Sequence, residues 1–255
     1  MDKNKDGKMN KININRIIIP ADIPLQKRIE SSLALIVSRQ EKANTTNAIL
    51  ITPTKRMYES SEILSHYIKI NKKTWKSKLQ NIRLSLETET TIDKKSLSYS
   101  NDVFVSYFPS QKMINYLDSL PNPKCIIVVA DFSNNLEEWI DIWNPIIFSD
   151  NPSAGTLSEI NLDDKVIKLL KNYILPYAKY DRSTLHTNDR DRTIFYFKYL
   201  KKHRMNYSLF EIKKFLLRNN SNVSATKEIC SIGEGIKNGR KYQYKHYSNF
   251  SVELD

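Results

Sequence analysis

Over the first 150 positions, apolar residues follow two alternating patterns. Short unbroken runs at 16–19, 48–52, 103–107, 125–130 and 146–148 are rich in Ile and Val. Runs of this length and composition suit strands buried on both faces. Between them, apolar residues recur every three to four positions. Such residues are Ile29, Leu33, Ile36 and Val37 within 25–42, and Met57, Ile63, Leu64 and Tyr67 within 57–70. Met113, Ile114, Leu117 and Leu120 repeat the pattern within 110–120. A fourth stretch, 134–143, carries Leu136, Trp139, Ile140 and Trp143 and opens with Asn134 and Glu137 at capping-box spacing. Strands alternating with helices at this interval predict βαβ units. The expectation for 16–150 is therefore an α/β domain, Rossmann-like, with a mostly parallel sheet and flanking helices. The polar, Thr/Ser-rich stretch 83–102 interrupts the alternation and reads as an exposed loop or a short edge hairpin.

After position 157 the pattern is helical throughout. Residues 158–175 place Ile160, Val166, Ile167, Leu169, Leu170 and Ile174 on one period, with Pro176 as the expected stop. Residues 189–203 carry Ile194, Phe195, Phe197, Tyr199 and Leu200. Ser208 and Glu211 have capping-box spacing ahead of a helix running to Arg218, with Phe210, Phe215 and Leu216 inward. Ser224 opens a last helix holding Ile229, Ile232 and Ile236, and Asn238-Gly239 ends it. This predicts a mainly helical C-terminal domain over 157–255, joined through the linker 150–156, DNPSAGT. The tail from 240 alternates aromatic and polar residues, as a hairpin or an irregular docked segment would. As a hairpin it would be the wing of a winged-helix-like domain.

Composition narrows the class. With 255 residues, 40% of them hydrophobic and 10% aromatic, the chain buries a sizeable core and is not globally disordered. No apolar run reaches the roughly 18 residues that span a bilayer, so no membrane partner is expected. The opening MDKNKDGKMNKININ is basic and lacks the apolar segment of a secretory signal, so 1–15 is expected to be a flexible basic arm. The two cysteines, Cys125 and Cys230, form no C-x-x-C pair. They suit buried thiols in a reducing compartment, hence a cytoplasmic protein without structural zinc.

Candidate chemistry is sparse. In an α/β sheet the natural crevice lies at the carboxyl ends of the strands, where Thr52, Thr54, Lys55, Arg56 and Asp131 would converge as a phosphate site. Neither G-x-x-x-x-G-K-[ST] nor G-x-G-x-x-G is present. The only G-x-G, Gly233-Glu234-Gly235, falls in a helical stretch and suits close helix packing or termination. Asp131 has no second carboxylate on a neighbouring strand end and reads more economically as a turn residue. His66, His186, His203 and His246 do not pair at metal-ligand spacing. His186, beside Asp189 and Asp191, reads either as part of an acid/base cluster or as the polar approach to a helix. No catalytic residue, metal or cofactor is assigned.

Charge is the stronger signal. The net charge is +12, from 40 Lys+Arg against 28 Asp+Glu. Basic residues cluster in 69–95, 190–218 and 237–247, the last interleaved with Tyr242, Tyr244, His246 and Tyr247. Cations neutralise phosphates and exposed aromatics stack on bases. The residues expected to contact nucleic acid or another polyanion are Lys201, Lys202, Arg204, Lys213, Lys214, Arg218, Arg240, Lys241, Tyr242, Tyr244 and Lys245. Glu228 and Glu234 on the last helix favour backbone contact over base readout. The plainer alternative is a solvated basic surface in a chain also rich in Asn and Ile. The functional expectation is a non-catalytic nucleic-acid-binding or accessory protein. One alternative is an enzyme or sensor of a phosphorylated small molecule or nucleotide at the strand-end crevice. Another is a partner module anchored by Trp75, Tyr242 or Tyr247.

Overall fold

The computed structural model describes residues 11–43, 47–60, 62–69, 71–92, 102–120, 123–133, 135–149, 157–180, 184–246, 250 and 252–253. The chain forms two compact units, Met1–Leu157 and Ser158–Asp255. The linker 150–156 and the arm residues 1–10 lie outside the described residues.

The first unit follows the order β1 (Asn15–Ile19), α1 (Leu25–Ala43), β2 (Asn47–Thr52), α2 (Lys55–Ser60), α3 (Glu62–Tyr67), β3 (Lys76–Leu79), β4 (Ile82–Thr88), α4 (Glu89–Ile92), β5 (Val103–Tyr107), α5 (Gln111–Ser119), β6 (Cys125–Val129), α6 (Glu137–Trp143) and β7 (Ile146–Ile147). The strands form one sheet in the order β3-β4-β2-β5-β6-β1-β7. All its pairings are parallel except β3 with β4. The expected α/β fold is thus present. Every residue of β5 and β6 is buried, as their Ile/Val runs require at the sheet centre.

Strand side chains alternate between faces. Ile17, Ile19, Val105, Ile127 and Val129 pack with Ile29, Leu33 and Ile36 of α1 and with Tyr58 and Leu64. The intervening residues point to the other face, where Arg16 meets Asp118 of α5 and Trp143 of α6.

Several expectations are corrected. Residues 83–88 are not a loop. They belong to β4, an interior strand whose Ile82, Leu84 and Leu86 are buried while Arg83 is exposed. The hairpin partner is β3, upstream, with Gln80 left-handed in the turn (φ 52°). Residues 93–101 lie outside the described residues. The stretch 57–70 is helical over Lys55–Ser60 and Glu62–Tyr67, with residues 61 and 70 outside the described residues. Lys11–Asn13 forms a 3-10 turn whose Lys11 carbonyl accepts from Arg16, so the arm does not extend to 15. Helix α6 begins at Glu137, with the Asn135 side chain accepting its N–H at 3.3 Å, so Glu137 is the first helical residue; Asn134, the expected cap, lies outside the described residues.

The second unit comprises α7 (Asp164–Leu169), a π turn (Leu170–Ile174), α8 (Leu175–Ala178), α9 (Thr187–Lys202), α10 (Leu209–Arg218) and α11 (Val223–Lys237). Its core gathers Val166, Leu170, Ile174, Ile194, Phe197, Leu200, Ile212, Leu216, Ile229 and Ile232. The first helix starts at Asp164, capped by Asp163, rather than at 158. Pro176 does not stop it. The proline lacks an N–H, and the widened turn places it in the first turn of α8, where that N–H would have no helical partner. Asn222 rather than Ser224 caps α11, accepting the N–H groups of Ser224 and Ala225. Ser208 caps α10 as expected, but the Glu211 carboxylate accepts from the Asn161 N–H instead of closing a box.

Candidate nucleic-acid interface

Helix α9 begins where the His186 ring accepts the Asn188 N–H at 3.3 Å. Its inward positions are Ile194, Phe197 and Leu200, which leaves Lys201 and Lys202 at the outer end. The chain leaves α9 through Arg204, left-handed at φ 54°, and the Tyr207 ring packs on Phe197 at 5.6 Å. Helices α9 and α11 approach closely at Gly233, where a Cβ would stand 2.6 Å from the Phe197 ring and 2.8 Å from Leu209. This is the close packing the sequence suggested. The carboxyl ends of the two helices lie side by side, since the Lys201 ammonium donates to the Ile236 carbonyl at 2.7 Å. Lys201, Arg204 and Lys237 line one small hollow of about 300 Å³ with Met205, Asn206 and Tyr207. Lys202, Arg204 and Lys237 are exposed. Cations here also complement the free carbonyls and the negative dipole ends of both helices.

The tail returns over α9. Gly239, at φ 84°, turns the chain, and the Arg240 N–H donates to the Gly235 carbonyl at 2.8 Å. Residues 240–246 form no strand, so no wing is present among the described residues. The Tyr242 ring lies against Gly235, between the guanidinium groups of Arg190 at 5.8 Å and Arg240 at 5.0 Å. Lys198 donates to the Tyr242 carbonyl at 3.2 Å and stands 4.3 Å from the centre of the Tyr244 ring. The Lys245 N–H donates to the Asp191 carboxylate at 3.2 Å, while the Lys245 side chain, like Lys241, is exposed. Tyr242 and Tyr244 therefore spend their rings on cations of their own chain. The aromatic–basic alternation is a docking pattern here, not an open stacking platform. Tyr247 lies outside the described residues.

Two expected contacts are withdrawn from the surface. Lys214 is 2% exposed, 3.5 Å from Glu211 and 5.8 Å from the centre of the Phe210 ring. Arg218 is 4% exposed and donates to the backbone and hydroxyl oxygens of Ser158 at 2.6 and 3.2 Å. Segment 158–161 lies over the polar side of α10, so the periodicity that promised solvent there meets protein instead. Lys213 is half-buried.

At the carboxyl ends of the strands, the Thr52 hydroxyl donates to the Thr54 carbonyl at 2.9 Å. Lys55 sits 4.5 Å from the centre of the Trp75 ring, Arg56 is exposed, and Asp131 accepts from Ser133 at 3.0 Å. Strand β5 lies between β2 and β6, which separates Thr52 from Asp131 by roughly 10 Å across the sheet. Trp75, half-buried against Tyr58, is already packed.

The sequence reading missed one buried polar network. Asp118 accepts from the indoles of Trp139 and Trp143 at 3.2 and 3.0 Å, one on each oxygen. The Arg16 guanidinium lies 3.9 Å from Asp118 and 3.7 Å from the centre of the Trp143 ring. Burial dominates its electrostatics. It raises the Asp118 carboxyl despite Arg16, and it lowers Arg16 to about 10 despite Asp118. The signal available was an acid at a core position of α5 facing two tryptophans spaced i, i+4 on α6. The network ties the helical layer to β1.

Among the described residues, no group of three or more His, Cys, Asp or Glu side chains could hold a metal ion, and no helix is long and apolar enough to cross a membrane. No family model matches the chain, and no curated protein or solved structure matches it significantly.

Proposed function

We propose that the helical unit binds the phosphate backbone of nucleic acid. The contacts are Lys201, Lys202, Arg204 and Lys237 at the shared end of α9 and α11, flanked by Arg240, Lys241 and Lys245. One observation carries this reading. Neither 192–210 nor 235–252 contains an Asp or Glu, and these are the segments that meet at that end. The unit as a whole has 19 Lys+Arg against 11 Asp+Glu, a net +8, whereas the first 157 residues hold +4 of the chain's +12. A surface with this excess of cations attracts polyanions and releases their counterions on contact.

The docked tyrosines and the exposed Glu234 on α11 argue against groove entry by that helix. The contacts then position a strand without reading its bases. The test is binding of single- and double-stranded DNA and RNA oligonucleotides across a salt series. The Lys201→Gln/Lys202→Gln/Arg204→Gln chain is expected to lose at least about tenfold in affinity, with a salt slope shallower by about two to three. Affinity should vary little among sequences of one length. Absence of binding at low salt, or an unchanged slope in the triple variant, overturns the reading.

A further inference from the structure

The helical unit holds a second group of tyrosines, distinct from the docked rings of Tyr242 and Tyr244. Tyr173, Tyr177, Tyr180 and Tyr196 line a hollow of about 320 Å³. Tyr173 comes from the π turn, Tyr177 from α8 and Tyr196 from α9. A widened turn rotates the side chains that follow it relative to a regular helix, and such turns recur at functional sites. Here Asn172 and Tyr173, within the turn, and Tyr177, after it, all line the hollow.

The rings are fixed in advance. The Tyr177 and Thr193 hydroxyls hydrogen-bond at 2.8 Å, and the Tyr173 hydroxyl accepts the Glu253 N–H at 2.9 Å. The Tyr173 and Tyr196 rings stand 5.3 Å apart, tilted by 40°. Tyr177 and Tyr196 are buried, Tyr173 is half-buried and Tyr180 is 58% exposed. What the cluster offers a ligand is therefore preset ring surface. The charged residues of the hollow are Asp189 and Arg192, 3.9 Å apart. A cation, a common occupant of aromatic cages, would meet Arg192 there. Paired opposite charges present donors and acceptors together, which suits a planar polar group.

The hollow continues toward the basic end of α9. Arg192, Tyr196, Tyr199 and His203 follow at spacings of four, three and four, so they share one stripe of the helix. The Tyr199 and His203 rings lie 4.2 Å apart, next to the exposed Lys202. From Tyr196 to Lys202 the helix rises about 9 Å. Lys171 and Lys179, adjoining Asn172 and Tyr180 in the chain, are exposed as well.

We propose that this hollow takes an unpaired base of single-stranded nucleic acid, stacked on Tyr173 and Tyr180, while the phosphates follow α9 to Lys202 and Arg204. The proposal rests on the nucleic-acid reading above and narrows its ligand to single strands. A base in a duplex must give up its pairing and stacking to enter. Every base has a π-face, so stacking tolerates any sequence and agrees with contacts that read none.

The experiment measures binding of three labelled oligonucleotides of equal length to the full chain: a single strand, the same sequence as a duplex, and a single strand lacking its bases. The intact single strand is expected to bind more tightly than the duplex and at least about fivefold more tightly than the base-free strand. Tyr180→Leu and Tyr173→Leu keep apolar bulk but remove the ring. Each should lose at least about fivefold for the intact strand, with the base-free strand and the salt slope unchanged. Tyr180→Trp should retain the affinity. The proposal is overturned if the base-free strand or the duplex binds as tightly as the intact strand, or if Tyr180→Leu binds like the parent chain. In either case a shallower salt slope in Lys201→Gln/Lys202→Gln/Arg204→Gln leaves the backbone reading standing alone. If no oligonucleotide binds at low salt, both readings fall. Tyr180 is exposed, so its replacement leaves the fold intact and the result decisive.

Discussion

The two units bury charge in different ways. The α/β unit seals Arg16 and Asp118 beneath its sheet, each partnered by groups from distant parts of the chain. The helical unit buries Lys214 and Arg218 along one helix, held by Glu211 one turn away and by the segment that leads into the unit. In the first case an ion pair is built into a core that strand order assembles. In the second, a charged helix face is covered by its own neighbouring chain. A cation's place in the sequence therefore says little about its exposure; what lies over the helix or sheet decides it.

All three tryptophans, at 75, 139 and 143, belong to the first unit. Their fluorescence reports that unit alone, while far-UV circular dichroism reports both. The largest expected effect is Asp118→Ala, which leaves the Arg16 charge buried without its carboxylate. It should cost about 3–5 kcal/mol, read as a lower urea midpoint of tryptophan fluorescence. Arg16→Met/Asp118→Leu should recover most of that loss, because removing both charges ends the desolvation penalty. A double variant as unstable as the single one would mean that the network specifies the packing of α5 and α6.

Next is Gly233→Val, which forces side-chain atoms into Phe197 and Leu209. The expected cost is about 1–3 kcal/mol, seen in the dichroism transition while the tryptophan midpoint stays in place. Movement of both midpoints together would break the comparison by showing one cooperative block. A smaller contrast lies within the basic set. Lys214→Ala should cost about 1–2 kcal/mol and Lys202→Ala less than about 0.5, by the same denaturation.

Alkali gives the finest separation. Burial pushes the Cys125 thiol from 9.0 up to about 12 and the Tyr107 hydroxyl from 10.0 up to about 12. Between about pH 9 and 10 the unfolded chain loses protons that the folded unit keeps, so stability falls as pH rises, and above about 10 loss of the Arg16 proton in the folded unit opposes that trend. The Tyr177 hydroxyl of the helical unit is raised by burial as well, from 10.0. Loss in the α/β unit should thus begin near pH 9, about one unit below its onset in the helical unit. Cys125→Val should abolish the early part of that slope in a tryptophan-monitored pH series.

The strands with unbroken Ile/Val runs were legible because burial on both faces leaves no choice of residue. Strands β3 and β4 were not, since Lys76, Lys78 and Arg83 occupy their open positions and disguise the alternation of Ser77, Ile82, Leu84 and Leu86. The helix starts at Asp163, Ser208 and Asn222 follow short side-chain acceptors, but which acceptor is used depends on where the chain enters. Lys214 and Arg218 were misplaced because a helical period assumes that the polar face meets water. Tyr242 looked free because nothing local announces Gly235 as its seat.

The position of β1 also has a consequence in time. Asn15 pairs with Cys125 and Ile17 with Ile146, so the first strand of the sheet finds its neighbours 110 and 129 residues later. On the ribosome, Ile17, Ile18 and Ile19 emerge long before either partner exists. The helical unit, by contrast, completes itself among near neighbours. Closure of the sheet around β1 is therefore the slow event of folding, and the interval before β6 is synthesised is when the nascent chain is most open to misassociation.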